Sequence, residues 1–280
     1  MDLADRFIES RIAELEAARL LREEQKINKS ETEQVNEQKQ QPRKQTPQKS
    51  NDPIFNILKI PAVFAMVGAP KSGKTHCMKH LLIHYLMSGD LQFGIVFTGT
   101  KFSNQFDFIV DDVIISGFDP SALKTFLRKL KDYRTKTGKP AKAFIVFDDM
   151  VGQVPWETSL ILHLFTTYRW YGLSIFLSTQ YIYKINPTVR TVADYAFIWA
   201  QDNKRCYDAI YESFGLSFDD FKTFKDNLDA IVEEQYACML YNKEERKVDK
   251  RYMAYKAPPE IPEVKFQFSK PKESQQRYEL

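Results

Sequence analysis

Cysteine is scarce in this chain: three residues, Cys77, Cys206 and Cys238, in 280. Odd in number, scattered and without metal-ligand spacing, they exclude a disulfide framework and read as reduced thiols of a reducing compartment. Long hydrophobic runs are missing as well. No stretch reaches the roughly 18 to 20 apolar residues that a bilayer span needs, and the N-terminus has no apolar signal-peptide core. A soluble protein of the cell interior is expected, or one carried in a particle assembled there. Excess charge of one sign is also absent, since 40 Lys and Arg against 37 Asp and Glu leave +3 at pH 7. No global basic field demands nucleic acid, although charge can still be sorted onto one face. Internal repeats are absent too.

What is present falls into four parts. Residues 1–27 carry an approximate apolar stripe, Leu3, Phe7, Ile12, Leu15, Ala18 and Leu21, among Glu and Arg, and are expected to form a helical extension. Residues 28–52 are Gln, Lys, Glu, Thr and Pro with almost nothing to bury, the composition of a flexible, disordered linker. A folded domain is expected over 53–256 and an extended, Pro- and charge-rich tail over 257–280. Within the domain, apolar runs such as "AVFAMV", "QFGIVFT", "KAFIVFDDM", "LSIFLSTQ" and "DYAFIWA" alternate with helical patterns. "EQYACMLYN" reads as the last strand. Such alternation predicts an α/β fold with a mainly parallel central sheet covered by helices on both faces.

The chemistry concentrates in three places. Gly68-Ala69-Pro70-Lys71-Ser72-Gly73-Lys74-Thr75 matches G-x-x-x-x-G-K-[ST] and lies between a predicted strand and a predicted helix. There the glycines let successive N–H groups curl around phosphates, and the helix N-terminus adds its dipole. Lys74 is expected to bridge the β- and γ-phosphates of ATP, and the Thr75 hydroxyl to ligate Mg²⁺. "FIVFDDM" is an apolar strand ending in two acids. Asp148 is placed to hold Mg²⁺, and Asp149 to polarise an attacking water as general base. "LSIFLSTQ" ends in Gln180 at the same sheet edge, where it can bond that water or sense the γ-phosphate. This layout points to a P-loop ATPase of the RecA-like kind with an additional catalytic acid. No N-K-x-D guanine motif and no Arg-rich lid argue for a GTPase or a small-molecule kinase.

Together, GAPKSGKT, FIVFDDM, YRWYGLSIFLSTQ and INPTVRTVADYAFIW resemble, in order and spacing, the genome-packaging ATPases of the FtsK–HerA superfamily. The branch they look most like is encoded by nucleocytoplasmic large DNA viruses, virophages and related elements. The resemblance covers about residues 53–242. It implies a homo-oligomeric ring that drives double-stranded DNA into a preformed capsid, with a capsid or portal-vertex component as partner, in the host cytoplasm (viral factory) or the virion. A ring motor also implies an arginine offered to a neighbour's γ-phosphate, with Arg169 the first candidate and Arg190 the second. One departure is Asp149, where the superfamily most often has Glu.

Two rival functions stay open at this point. One is a helicase or replication ATPase on single strands, which wants stacking aromatics along a basic groove. The other is an ATP-binding assembly protein that hydrolyses little, consistent with the shorter acid at Asp149. A terminase with its own nuclease is not expected, because about 40 residues beyond the last predicted strand cannot form such a domain. His76, His80 and His84 share a face of the loop helix without the Glu of a zinc-protease motif, so packing or solvation is expected, not metal. The basic run Arg128 to Lys142 could line a DNA path or simply face solvent.

Overall fold

The computed structural model describes residues 52–99 and 105–266. The predicted N-terminal helix, and all of the predicted linker but Asp52, lie outside the described residues. Eight strands form one sheet: β1 (Val63–Val67), β2 (Phe93–Thr98), β3 (Ile114–Ser116), β4 (Ala143–Asp148), β5 (Leu173–Thr179), β6 (Tyr195–Ile198), β7 (Cys238–Asn242) and β8 (Tyr252–Tyr255). Their order is β3-β2-β4-β5-β1-β6-β7-β8. The first six strands are parallel, and β7 and β8 add antiparallel. Six helices accompany them among the described residues: α1 (Lys74–Met87), α2 (Pro120–Thr137), α3 (Ser159–Tyr171), α4 (Pro187–Val192), α5 (Lys204–Ile210) and α6 (Phe221–Val232).

Successive side chains of a strand point to opposite faces, and here both faces are dry. Val63, Ala65, Val67, Ile145, Phe147, Ile175 and Leu177 pack on one side with residues of α2 to α6. Phe64, Met66, Phe144, Val146, Phe176 and Phe197 pack on the other with α1, Ile54, Leu58 and Phe106 to Ile114. Each of these Val, Ile, Leu, Met and Phe side chains, fully buried, contributes about 1.5–3 kcal/mol of transfer free energy. That double burial explains why β1, β4 up to Phe147, and residues 175–177 of β5 read as apolar runs. Ala257, Ile261, Val264 and Phe266, beyond the last strand, pack against the α1 face.

Local signals set the helix ends. Asp119 accepts from the N–H groups of Ser121 (2.7 Å) and Ala122 (3.2 Å), Pro120 opens α2, and Gly138 closes it at φ 68°. Gly172 closes α3 at φ 70°, where a β-carbon would lie 1.9 Å from the Ala141 oxygen. One expectation needs correction: β7 is not the last strand, because β8 pairs beyond it. β8 is a sheet edge with Tyr252, Met253 and Tyr255 only half-buried and Ala254 exposed, so no continuous apolar run announces it.

Candidate active site

All six parallel strands bring their C-terminal ends to one edge of the sheet, the edge where ligands gather in open α/β folds. β1 leads into Gly68–Thr75 there. Gly68 is held by its N–H to the Thr179 oxygen (3.3 Å), and Ala69 by its N–H to the Ala200 oxygen (3.0 Å). A β-carbon on Gly68 would lie 2.7 Å from Trp199 Cβ and 2.8 Å from Ser72 Oγ, so the loop closes on itself only with glycine at this point. Lys71 (φ 61°) and Gly73 (φ 107°) are in left-handed conformations, which turn the main chain into a cradle ahead of α1. Pro70 and Lys71 are exposed at its rim, and Thr75 is half-buried in the first turn of α1.

Lys74 is buried, and its Nζ donates to the Gly68 oxygen at 2.8 Å and the Ala69 oxygen at 2.7 Å. Burial lowers its pKa, while Asp149, Asp148 and Asp202 raise it. Asp148 ends β4 between Thr98 and Ser178 of its neighbours, only 3% exposed. Burial pushes its pKa up to about 6, aided by Asp149, against bonds from Ser178 and Thr98 and the charge of Lys74. Asp149 follows at φ 51°, its N–H on the Ser178 oxygen at 3.1 Å. That turn aims its carboxylate toward β5, where Gln180 Nε2 donates to Asp149 Oδ2 at 2.8 Å. The structure thus gathers Lys74, Asp148, Asp149 and Gln180 at one edge beside the loop.

Two tests of fit to a triphosphate and its metal follow from the chain itself. Ser72 Oγ, in the loop, is a buried polar atom with no hydrogen-bond partner, which an anion's oxygens would satisfy. The donor set is loop N–H groups and one ammonium for phosphate, with hard oxygens at Thr75 and Asp148 for a magnesium-sized ion. The residues present fit both groups.

Arg169 and Arg190 are not brought to this edge. Arg169, in the last turn of α3, pairs at the opposite edge with Asp194, which precedes β6, and with Glu244 at 3.2 Å. Asp194 also accepts from Val63 N (2.8 Å) and Tyr168 Oη (2.5 Å), and so anchors the start of β1. Arg190 is buried in α4, its Nη1 on the Ala209 oxygen at 3.2 Å, and burial lowers its pKa.

Sequence reasoning missed Trp199, Gln201 and Asp202. Trp199 backs Gly68, Gln201 Nε2 donates to the Val67 oxygen at 3.2 Å, and Asp202 acts on Lys74. The polar residues Gln201 and Asp202 directly after the apolar β6 run were the available signal. The three helix histidines hold structural partners, as expected. His80 bonds Asp52 (3.0 Å), His84 stacks on Phe55 (3.3 Å between centroids), and His76 meets the Pro258 oxygen (2.6 Å). Among the described residues no His, Cys, Asp or Glu cluster forms a metal site, and Cys77, Cys206 and Cys238 are buried free thiols. No described helix is long and apolar enough to cross a membrane.

No family model matches the chain. Uncharacterized protein 015R of Frog virus 3 (isolate Goorha) is 23% identical over 179 residues, 62% of this chain and 54% of that protein. The chain therefore spans about half the length of the curated relative it matches. The genome packaging NTPase B204 of Sulfolobus turreted icosahedral virus 2, solved with AMPPCP, superposes with a TM-score of 0.51 at 18% identity, covering 70% of this chain and 97% of B204. The same enzyme solved with sulfate gives 0.52 at 17% identity, with 73% and 100% covered. The resemblance drawn from the motifs thus extends to three dimensions at the level of fold: the chain has the α/β P-loop NTPase architecture, with a mainly parallel sheet flanked by helices, that these packaging NTPases share.

Proposed function

We propose that this chain is an ATP-hydrolysing motor that moves double-stranded viral DNA into a preformed capsid, working as a homo-oligomeric ring on a capsid or portal-vertex component in the host cytoplasm or the virion. The observation that carries the reading is the meeting of Lys74, Asp148, Asp149 and Gln180 at the sheet edge beside Gly68–Thr75. Likeness in fold to a packaging NTPase solved with an ATP analogue supports it.

The residues divide the work. The loop N–H groups and the α1 N-terminus hold the phosphates, and Lys74 Nζ exchanges the Gly68 and Ala69 oxygens for phosphate oxygens. Thr75 and Asp148 would hold Mg²⁺, which when bound supplies positive charge against that developing on the transferred phosphoryl group. Asp149 takes the proton of the attacking water at its carboxylate. Gln180 Nε2 occupies Oδ2 and so fixes the orientation of the carboxylate. Asp149 is one methylene shorter than Glu. Its left-handed backbone and the Gln180 bond hold that short side chain in one place.

For the ring, we assign the trans arginine to Arg169. It is 57% exposed and stands at the edge opposite its own loop, so a γ-phosphate role falls to a neighbouring copy's site and not its own, at the expense of the Asp194 and Glu244 pairs. Arg190, on α4 and buried against Ala209 of α5, would need those two helices to part. Lys124, Arg128 and Lys131 form an exposed row on α2 that suits backbone phosphates of DNA. Phosphate release from ATP and Mg²⁺ by the full chain tests the site: turnover should vanish in Lys74→Ala, and an unchanged rate would remove the assignment.

A further inference from the structure

The turn between α6 and β7 sets a tyrosine against the phosphate loop. Tyr236 is 53% exposed and has φ 69°, a left-handed conformation that a bulky residue adopts only at a cost. The surroundings hold it there. Its carbonyl oxygen accepts from Trp199 Nε1 at 3.0 Å, and Glu234, two residues earlier, binds Lys256 at 2.8 Å. Core packing does not account for this, because half of the side chain faces solvent. Its ring instead abuts the N-cap of α1: a β-carbon on Gly73 would lie 3.5 Å from Tyr236 Cδ1. Trp199 stands on the same side, its Nε1 3.6 Å from where a β-carbon on Gly73 would lie.

The sheet order gives this corner a direction. β1, which carries the loop, is flanked by β5 and then β4 on one side and by β6 and then β7 on the other. Asp148, Asp149 and Gln180 all stand on the β4–β5 side. A nucleoside triphosphate whose terminal phosphate faces those residues must send its nucleoside the other way, toward β6 and β7. Among the described residues, Tyr236 is the exposed aromatic side chain that borders the loop on that side.

We propose that Tyr236 is the stacking platform for the base of the bound nucleoside triphosphate. The inference rests on the nucleotide reading of Gly68–Thr75. An aromatic face grips any base by its π-surface and reads little of its hydrogen-bonding edge. Tyr236 therefore supplies affinity for the nucleoside with broad tolerance of its identity, and takes no part in the chemistry.

The test uses the full chain and two probes, ATP and inorganic tripolyphosphate, each with Mg²⁺, followed by calorimetry and steady-state turnover. Tyr236→Ala should weaken ATP binding about tenfold, the scale of base–aromatic stacking, and leave tripolyphosphate binding unchanged. Its KM for ATP should rise with kcat retained, the mark of binding lost equally in ground and transition states. Tyr236→Phe should restore both. Unchanged ATP affinity in Tyr236→Ala, or equal weakening of ATP and tripolyphosphate, would overturn the platform alone. An unsubstituted chain that binds neither probe would overturn the nucleotide reading as well.

Discussion

Asp148→Asn should make this protein more stable while it abolishes turnover. Asp148 is 3% exposed, and burial raises its pKa from 3.8 to about 6. A carboxyl with a raised folded-state pKa favours the native state fully below its unfolded value, and that advantage is lost as pH rises through the folded value. The interval from 3.8 to about 6 corresponds to about 3 kcal/mol, at about 1.4 kcal/mol per pH unit, so at pH 8 the ionised side chain burdens the fold by that amount. Asn removes the charge but must place two N–H donors in the same dry corner, at a cost of about 1 kcal/mol. The net gain is about 2 kcal/mol, or roughly 4–8 °C in Tm for a domain of this size. Thermal unfolding in EDTA across pH 4 to 8 reads it. The advantage of Asp148→Asn should be absent near pH 4 and grow up to about pH 6.5. A lower Tm at pH 8, or a difference that does not change with pH, would refute the reasoning.

Other expectations concern catalysis, the ring and the fold. Asp149→Asn should lower kcat by about 10² to 10⁴ with ATP affinity retained, and calorimetry beside phosphate release separates the two. If Arg169 acts across subunits, Arg169→Ala and Lys74→Ala copies, each inactive alone, should regain turnover when mixed; silence at every ratio would exclude the trans role. Gly172→Ala places a β-carbon 1.9 Å from the Ala141 oxygen at φ 70°, and should cost more than about 2 kcal/mol in urea unfolding or prevent folding.

The parts of the fold that could be read in advance were those with local causes. β4 and β5 are buried on both faces and so show as apolar runs, and α2 carries its own start and stop in Asp119, Pro120 and Gly138. The loop motif is likewise local, and Asp148 and Asp149 stand where an apolar run meets its first charge. Features made by distant residues were illegible. Nothing near Arg169 in sequence says that Asp194 will take its charge, and nothing near Tyr236 says that Gly73 will lie beneath its ring. β8 escaped notice because a sheet edge needs only half of its side chains covered.

The central claim is that ATP hydrolysis at Gly68–Thr75 serves movement on double-stranded DNA. Turnover by the full chain with no DNA, with double-stranded DNA and with single-stranded DNA tests it most directly. The account predicts stimulation by the duplex that disappears in Lys74→Ala; stimulation by single strands alone would contradict it.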